Sequence, residues 1–352
     1  MYKNLEKTQN IFKYLSKKLT WNLARIKFLS NFLESLMKVK TVNLKEVANW
    51  MDGTKEDSIY KRIQRFFKNF NFEEKDLINL VLELLNIEWP YFLSMDRTNW
   101  KYWKTNINIL TIWIVFNGIA FPICWELLDK KWNSNSQERI DIMKKVIKIL
   151  WDKSQIKWLL ADREFVWEDW FKYLIDEKIP FWIRIIDNYK LDNSKLKIKD
   201  IFKWVWKKHK HLDQNFKIKW NNVFLSASNF GWELLVVASN IKSDNAINNY
   251  LKRWSIEVLF SCLKTTWFNF ESTHLTDHKR ISKLFWILWF AFTWCYKVGE
   301  KLEQIKPIKI KKHWRKSIST FKLWFRFISR FFYNFLPKKS DLKLVFYFLS
   351  CT

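Results

Sequence analysis

Glycine is nearly absent from this chain of 352 residues: there are 4 glycines and 24 tryptophans. Average usage of about 7% would give a chain of this length roughly 25 glycines. Several tryptophans also stand where turns favour a small residue, such as Trp132 in "DKKWNSNS" and Trp314 in "KHWRKS". We interpret many of these positions as UGA codons that the source organism reads as glycine and that translation has rendered as tryptophan. The alternative is a tryptophan-rich protein that stacks bases on its indoles.

Patterns of a membrane span and of a secretion signal are also missing. The longest apolar run, 107–125, carries Asn117-Gly118 at its middle, which predicts a β-hairpin. A second run, 284–296, is too short to cross a bilayer and predicts a core helix. Residues 1–18 lack the apolar core of a signal peptide. We therefore expect a cytoplasmic protein that does not enter a membrane.

Acidic residues are in the minority, with 35 Asp and Glu against 62 Lys and Arg and a formal net charge of +27. Such a field attracts polyanions; nucleic acid is the commonest of these in a cell, and an anionic membrane surface is the alternative. The four cysteines are scattered without CxxC spacing, so they predict reduced thiols and no zinc site.

The first 88 residues predict helices throughout, in a chain long enough for two or three domains. Residues 44–51 and 58–70 predict a helix, a turn and a basic second helix that begins after an N-cap at Ser58. The second helix has a cationic face that either contacts DNA or is simply solvated: Lys61, Arg62, Arg65 and Lys68.

From Tyr91 onward, short apolar strands alternate with helices, which is typical of a mixed α/β sheet. Residues 91–100 predict a strand that reaches a polar turn at Asp96, and 158–165 predict a strand that ends at Asp162. Between and after them lie a hairpin over 107–128, a helix over 136–152 capped by Ser136, a helix to about 177 and a strand over 180–187. Both aspartates therefore fall near the ends of core strands, where side chains converge on one edge of the sheet.

The remaining segments complete the expected domains. Residues 188–243 are rich in lysine and alternate in polarity, which predicts a small β-rich insertion. Residues 301–352 are basic and aromatic and predict a helical tail for DNA contact or partner packing, or a solvated amphipathic helix. The expected division is an N-terminal helical domain (1–88), a mixed-sheet core (89–187 and 244–300), the insertion (188–243) and the tail (301–352).

The stretch "YLKRWSIEVLFSCLK" (250–264) predicts one helix that is apolar over most of its circumference. With residues about 100° apart, four polar side chains share a stripe roughly 60° wide. They are Tyr250, Arg253, Glu257 and Lys264.

Three carboxylates in this chain have the chemistry of a site for divalent cations. Mg²⁺ prefers oxygen ligands, and paired ions activate a water or hydroxyl and stabilise the departing oxygen of a phosphodiester. Asp96, Asp162 and Glu257 supply such ligands if the helix over 250–264 lies against the sheet. Glu164 and Asp169 are also close in sequence, and we assign them to solvent or to an ion pair.

The spacing Y-(2)-R-(3)-E-(6)-K of the 250–264 stripe resembles the signature of the DDE transposases of bacterial insertion sequences, the IS-four group. The similarity covers roughly residues 55–330 and includes "DRTNW" (96–100), "ADREF" (161–165) and "FNFESTH" (268–274).

The resemblance implies an RNase H-like mixed-sheet catalytic core interrupted by the β-rich insertion, with an N-terminal helical DNA-binding domain and a C-terminal helical tail. It implies metal-dependent cleavage and strand transfer at terminal inverted repeats, that is, cut-and-paste transposition by a homodimer in a synaptic complex with target DNA. Two Mg²⁺ ions, for which Mn²⁺ substitutes, would bind Asp96, Asp162 and Glu257. Tyr250, Arg253 and Lys264 would handle the DNA strand at the cut, and the N-terminal region with Lys61, Arg62 and Arg65 would recognise the repeats. Such a protein would be associated with the nucleoid.

Departures from the family pattern support the interpretation of the tryptophans. Where relatives have glycine, this sequence has tryptophan at five positions: Trp103, Trp132, Trp267, Trp314 and Trp324. If these indoles were real, their bulk in tight turns would strain the core. Besides an active transposase, two alternatives stay open: a catalytically inactive DNA-binding relic and a basic membrane-associated protein.

Overall fold

The structure, a computed structural model, describes residues 2–53, 55–71, 74–192, 194–203, 209–230, 233–254, 268–312, 317–318, 320–333 and 345. The chain forms two compact units, one made of Met1–Ile87 with Cys262–Thr352 and the other of Glu88–Ser261. The domain boundaries predicted from the sequence stay a prediction.

Helices account for the N-terminal part of the first unit, as the sequence predicts. They are α1 (Tyr2–Lys18), α2 (Leu23–Val39), α3 (Leu44–Trp50), α4 (Glu56–Asn69) and α5 (Glu74–Leu85). In α4, Ile59, Ile63 and Phe66 recur at helical spacing and are buried. The helix begins two residues before the predicted start and has Lys55, not Ser58, at its N-cap position. Glu56 and Asp57 occupy its first turn, where the helix dipole favours negative charge.

The second unit contains one mixed eight-stranded sheet. Its strands are β1 (Tyr91–Tyr102), β2 (Thr105–Phe116), β3 (Ile119–Leu128), β4 (Ile156–Ala161), β5 (Phe181–Ile185), β6 (Lys210–Ile218), β7 (Asn221–Phe230) and β8 (Glu233–Ser239). They are ordered β3-β2-β1-β4-β5-β8-β7-β6. The β1–β4 and β4–β5 pairs are parallel and the others are antiparallel. The predicted mixed α/β class is therefore confirmed.

The hairpin of β2 and β3 turns at Asn117-Gly118, as predicted, with positive φ at both residues (48° and 72°). The predicted polar turn at Asp96 is wrong. Asp96 lies inside β1, because β1 remains paired with β2 from Asp96↔Thr111 to Tyr102↔Thr105. Thus β1 continues beyond its last pair with β4, Met95↔Ala161.

The described part of this unit also includes the helices α6 (Ser136–Leu150), α7 (Glu168–Asp176), α8 (Ile198–Ile201) and α9 (Ala246–Tyr250). The cap of α6 is Asn135 and not the predicted Ser136. The Asn135 side chain accepts from the Glu138 N–H, and the Glu138 carboxylate accepts from the Asn135 N–H, both at 2.8 Å. The strands β6–β8 continue the sheet beyond β5, through pairs such as Trp182↔Ser239.

Two further helices, α10 (His278–Ile305) and α11 (Thr320–Tyr333), belong to the first unit. Residues 284–298 of α10 are buried, so the predicted core helix over 284–296 is confirmed. None of the described helices has the length and apolar character needed to cross a bilayer.

Candidate functional site

Two aspartates lie next to each other where the parallel strands β1 and β4 are paired. Met95 of β1 pairs with Ala161, the last residue of β4, and the residue that follows each of them is an aspartate, Asp96 within β1 and Asp162 directly after β4. Neighbouring strands are about 4.8 Å apart, so the two residues are neighbours across the sheet, and, besides burial, the charge of Asp162 acts on the Asp96 carboxyl to raise its pKa. Each aspartate also accepts a hydrogen bond from the N–H of the arginine that follows it, at 2.8 Å. The structure therefore brings Asp96 and Asp162 together, and their role as ligands of a shared cation stays a prediction.

Helix α9 packs on the same sheet and brings Arg253 to Asp96. Tyr250, at the end of α9, is 1% exposed and belongs to a buried cluster with Leu160, Trp182 and Val237 from β4, β5 and β8. A 3-10 turn over Leu251–Trp254 follows α9 and carries Arg253. The Arg253 Nε donates to the Tyr250 hydroxyl at 3.1 Å, and its Nη1 donates to Asp96 Oδ2 at 3.4 Å.

The segment predicted as one helix over 250–264 therefore starts differently, with α9 ending at Tyr250 and the 3-10 turn following it. Glu257 and Lys264 lie outside the described residues, so their predicted roles stay predictions. Tyr250 directs its hydroxyl to Arg253, and a direct contact between this residue and DNA likewise stays a prediction.

Burial gives Asp96 unusual acid–base behaviour. Removal from water raises the pKa of its carboxyl to about 6, although the Arg253 guanidinium and the Arg97 N–H act in the opposite direction. Burial lowers the pKa of the Arg253 guanidinium, but the Tyr250 phenol and the two aspartates together raise it above its ordinary value. Arg253, which is only 4% exposed, is therefore a permanent positive charge beside Asp96.

Asp162 has a more open environment and a different cation. Its side chain is 30% exposed, and its Oδ1 lies 4.0 Å from Nη1 of Arg184 on β5. Arg184 also contacts the exposed Glu233 at the start of β8. Arg184 is not among the site residues predicted from the sequence. The available signal is that Arg184 is the one charged residue of β5, whose other residues are all buried.

A second ion pair joins the segments that carry the two aspartates. Arg97 donates from Nε to Glu164 Oε1 at 3.2 Å and from Nη2 to Glu164 Oε2 at 3.1 Å. The expectation that Glu164 takes part in an ion pair is confirmed, and Asp169 is exposed. Arg139, which is fully buried, donates to the Glu164 carbonyl at 3.2 Å.

The donor atoms of Asp96 and Asp162 suit a hard divalent cation, since they are carboxylate oxygens on adjacent strands of a rigid sheet. The raised pKa of Asp96 is the expected consequence of placing an acid in a buried position, where a bound cation would stabilise its charged form. Within the described residues, no group of three His, Cys, Asp or Glu side chains has the arrangement of a metal site. Glu257, the predicted third ligand, lies outside that part of the chain.

The predicted cationic face of α4 is present in the first unit. Lys61, Arg62 and Arg65 are exposed, as is Lys68. The Arg62 guanidinium lies 5.3 Å from the centroid of the Phe28 ring, and Arg65 Nε donates to the Lys61 carbonyl at 3.4 Å. Their contact with DNA stays a prediction.

Comparison with known proteins gives one family match. Residues 127–294, a little under half of the chain, match the family model described as the transposase DDE domain. This match supports a DDE transposase. The matched stretch contains Asp162 and Glu257 and begins after Asp96.

Among solved structures, the chain is similar to the cryo-EM structure of the piggyBac transposase synaptic complex with hairpin DNA. The TM-score is 0.48 at 10% sequence identity, with 95% of this chain and 83% of that chain covered. No curated protein gives a significant match.

Proposed function

We propose that this protein is a DDE transposase of the IS-four group that cleaves and rejoins DNA at the terminal inverted repeats of an insertion sequence. The observation that carries the proposal is the placement of Asp96 and Asp162 at the same level of adjacent parallel strands, with Arg253 beside them. The match of residues 127–294 to the transposase DDE domain agrees with this chemistry. Under the proposal, the sheet of the second unit is an RNase H-like catalytic core.

Asp96 and Asp162, together with Glu257, would hold Mg²⁺, for which Mn²⁺ would substitute. When bound, these ions activate a water or hydroxyl and stabilise the departing oxygen of a phosphodiester. Asp96 must be ionised to bind a cation, and its pKa of about 6 allows this at neutral pH.

Arginines at the site would perform the remaining tasks. Arg253 orients the Asp96 carboxylate and reduces its repulsion with Asp162, since it is buried and hydrogen-bonded to Tyr250. Arg184 reaches the Asp162 side of the site with a partly exposed guanidinium, which suits it to bind a phosphate oxygen of the cut strand. Lys264 would bind the same strand, as the signature implies.

Outside the sheet, the exposed cations of α4 would contact the inverted repeats, and two copies of the chain would form the synaptic complex. The formal net charge of +27 supports binding to the DNA backbone, with an affinity that falls steeply as salt is raised.

The test uses purified full-length protein and a labelled DNA duplex that carries the two ends of the element, read from the DNA that flanks the gene. We expect nicking at those ends that requires Mg²⁺ or Mn²⁺ and is lost in Asp162→Ala. Asp169→Ala is the matched control, because Asp169 is an exposed carboxylate seven residues away, and it should nick like the unmodified protein. Salt-sensitive DNA binding without nicking at any metal concentration would instead identify an inactive relic.

A further inference from the structure

The ion pair between Arg97 and Glu164 joins the two segments that carry the site's aspartates. Arg97 directly follows Asp96, and Glu164 stands two residues after Asp162. We propose that these two residues are positioning residues that hold Asp96 and Asp162 in register for a shared divalent cation. This inference rests on the proposed function, because it assigns the aspartates a common ligand.

The geometry of the pair restricts relative movement of the two segments. Two parallel N–H···O bonds of 3.1–3.2 Å connect the guanidinium to both carboxylate oxygens. A two-point contact of this kind fixes orientation as well as distance. The side chains are only 10% and 22% exposed, so water screens the pair less than it screens a surface ion pair.

Both Arg97 and Glu164 also form hydrogen bonds with residues outside the pair. Arg97 donates from Nη1 to Asn108 at 3.2 Å and from Nη2 to Asn133 at 2.7 Å. The Glu164 carbonyl accepts from Arg139, whose side chain is completely buried and also donates to Ser134. These additional hydrogen bonds restrict the movement of Arg97 and of Glu164, and therefore of the aspartates that are close to them in the sequence.

We therefore assign Glu164 a positioning role and do not expect it to bind the cation. Both of its carboxylate oxygens accept from Arg97 at 3.1–3.2 Å. Asp162 accepts from the next N–H through Oδ1, and Asp96 does the same but also accepts from Arg253 through Oδ2 at the longer distance of 3.4 Å. Groups that orient the ligands of a metal typically change its affinity by about 10- to 100-fold when they are mutated.

The decisive experiment is calorimetric titration of the full-length protein with Mn²⁺ in the absence of DNA. Glu164→Gln, which keeps the shape but removes the charge, should bind Mn²⁺ about 10- to 100-fold more weakly than the unmodified protein. Arg97→Lys should have a similar effect, because lysine cannot make the two-point contact, and it provides a second measurement if Glu164→Gln folds poorly. Glu177→Gln is the matched control: Glu177 pairs with Lys153 at 3.2 Å, but both side chains are largely exposed and lie away from the aspartates.

Unchanged Mn²⁺ affinity in both variants, with binding lost in Asp162→Ala, would overturn the positioning role and leave the proposed function intact. No Mn²⁺ binding by the unmodified protein would overturn the proposed function and the positioning role together. If a variant is only partly folded, the titration should give a lower number of Mn²⁺ ions bound per protein with unchanged affinity. That result would also count against a positioning role.

A separate observation concerns three exposed tryptophans with left-handed backbone conformations. Trp103, Trp151 and Trp220 have φ of 53°, 66° and 61°, and their exposed fractions are 82%, 76% and 65%. A bulky residue at positive φ is a genuine outlier, whereas glycine adopts this region without a steric cost. We infer that the natural protein has glycine at these three positions, which extends the argument from composition to 151 and 220.

Each of the three occupies a turn position that ordinarily requires glycine. The loop between β6 and β7, Lys219-Trp220, has positive φ at both residues (50° and 61°), as has the Asn117-Gly118 loop between β2 and β3. Trp220 therefore takes the place that Gly118 has in the other hairpin, as a type I′ turn requires.

The other two positions follow the same rule in different turns. In the two-residue loop between β1 and β2, only the first residue, Trp103, has a positive φ, which is the pattern of a type II′ turn with glycine at that place. Trp151 is the left-handed C-cap of α6, where glycine is the usual residue.

Trp132 is exposed in a loop but lacks a positive φ, and Trp267 and Trp314 lie outside the described residues. Trp324 is buried inside α11 with its ring against Gly299, so the backbone argument does not extend to it.

Two measurements test this inference. Sequencing of the gene should find UGA at codons 103, 151 and 220, and UGG at these codons would overturn it. In the expressed protein, Trp103→Gly, Trp151→Gly and Trp220→Gly should each raise the melting temperature by on the order of 2 °C, since each relieves a left-handed bulky residue. Trp50→Gly is the matched control: Trp50 is 44% exposed but helical, so glycine there should lower the melting temperature. A decrease in all four variants would count against strain at the three turns.

Discussion

The two aspartates of the candidate site occupy equivalent positions on β1 and β4 but have unlike surroundings. Asp96 lies within a continuing strand, is 18% exposed and faces the buried Arg253. Asp162 follows the last residue of its strand, is 30% exposed and has Arg184 at 4.0 Å. Asp96 is thus held by the core, whereas Asp162 is on the more accessible side; under the proposed function, the DNA strand would approach from that side.

The largest expected effect is the loss of DNA nicking, and it should be the same at both positions. Asp96→Asn and Asp162→Asn should each reduce the nicking rate by about 10³-fold or more, because loss of a cation ligand removes several kcal/mol of transition-state stabilisation. Gel-based nicking of the element ends at saturating Mg²⁺ measures this. A large loss in one variant with near-normal activity in the other would show that the two aspartates do not share a cation.

The next-largest effect is a difference in the loss of stability between variants of the two arginines, Arg253 and Arg184. Arg253→Ala should lower the free energy of unfolding by about 3 kcal/mol, since it breaks a buried, hydrogen-bonded ion pair. Arg184→Ala should lower it by less than about 1 kcal/mol, because its partners Asp162 and Glu233 are more exposed. Urea unfolding followed by circular dichroism gives both values. Equal losses would contradict the distinction between a buried and an accessible side.

The pH dependence of stability should reveal the burial of Asp96, one side of the comparison. The pKa of Asp96 is raised by burial to about 6 in the folded protein, above its ordinary value of 3.8. The folded state therefore holds the proton more tightly, so the stability contributed by this group is full below pH 3.8 and is lost as the pH rises through about 6. Asparagine does not titrate, so the variant does not lose this stability. Without metal, the free energy of unfolding of Asp96→Asn minus that of the unmodified protein should increase by on the order of 3 kcal/mol from pH 4 to pH 7. Urea unfolding in EDTA across this pH range tests it, and a difference between Asp96→Asn and the unmodified protein that stays constant from pH 4 to pH 7 would contradict it.

The smallest effect concerns DNA affinity. Arg184→Gln should reduce the slope of log affinity against log salt concentration by about 1, because one phosphate contact is lost. Binding of the element ends over a range of salt concentrations, followed by fluorescence anisotropy, measures the slope. Lys145→Gln is a suitable control, since Lys145 is an exposed cation that pairs with Glu126. The same change of slope in both variants would mean that Arg184 contributes only to the general positive field.

The sequence predicted those parts of the fold that have strong local signals. Asn117-Gly118 between two apolar runs predicts its hairpin, because few residue pairs adopt the required turn. The strand predicted within 158–165 and ending at Asp162 is present as β4, which is short and apolar but covers Ile156–Ala161 and ends one residue before Asp162.

Other features depended on contacts that local patterns do not encode. The local sequence predicts a turn at Asp96, but long-range pairing with β2 keeps the strand extended to Tyr102. The addition of β6–β8 to the same sheet depends on the pairing of β8 with β5, which no alternation within 188–243 specifies. Arg253 was predicted as a residue of the site, but its bonds to Tyr250 and Asp96 follow from the packing of α9 on the sheet.

The most direct test of the central claim is the position of Mn²⁺ in crystals of the protein, determined by anomalous diffraction. We expect an anomalous peak within coordinating distance of carboxylate oxygens of both Asp96 and Asp162. A peak bound to only one of them, or peaks confined to other surfaces of the protein at saturating Mn²⁺, would contradict it.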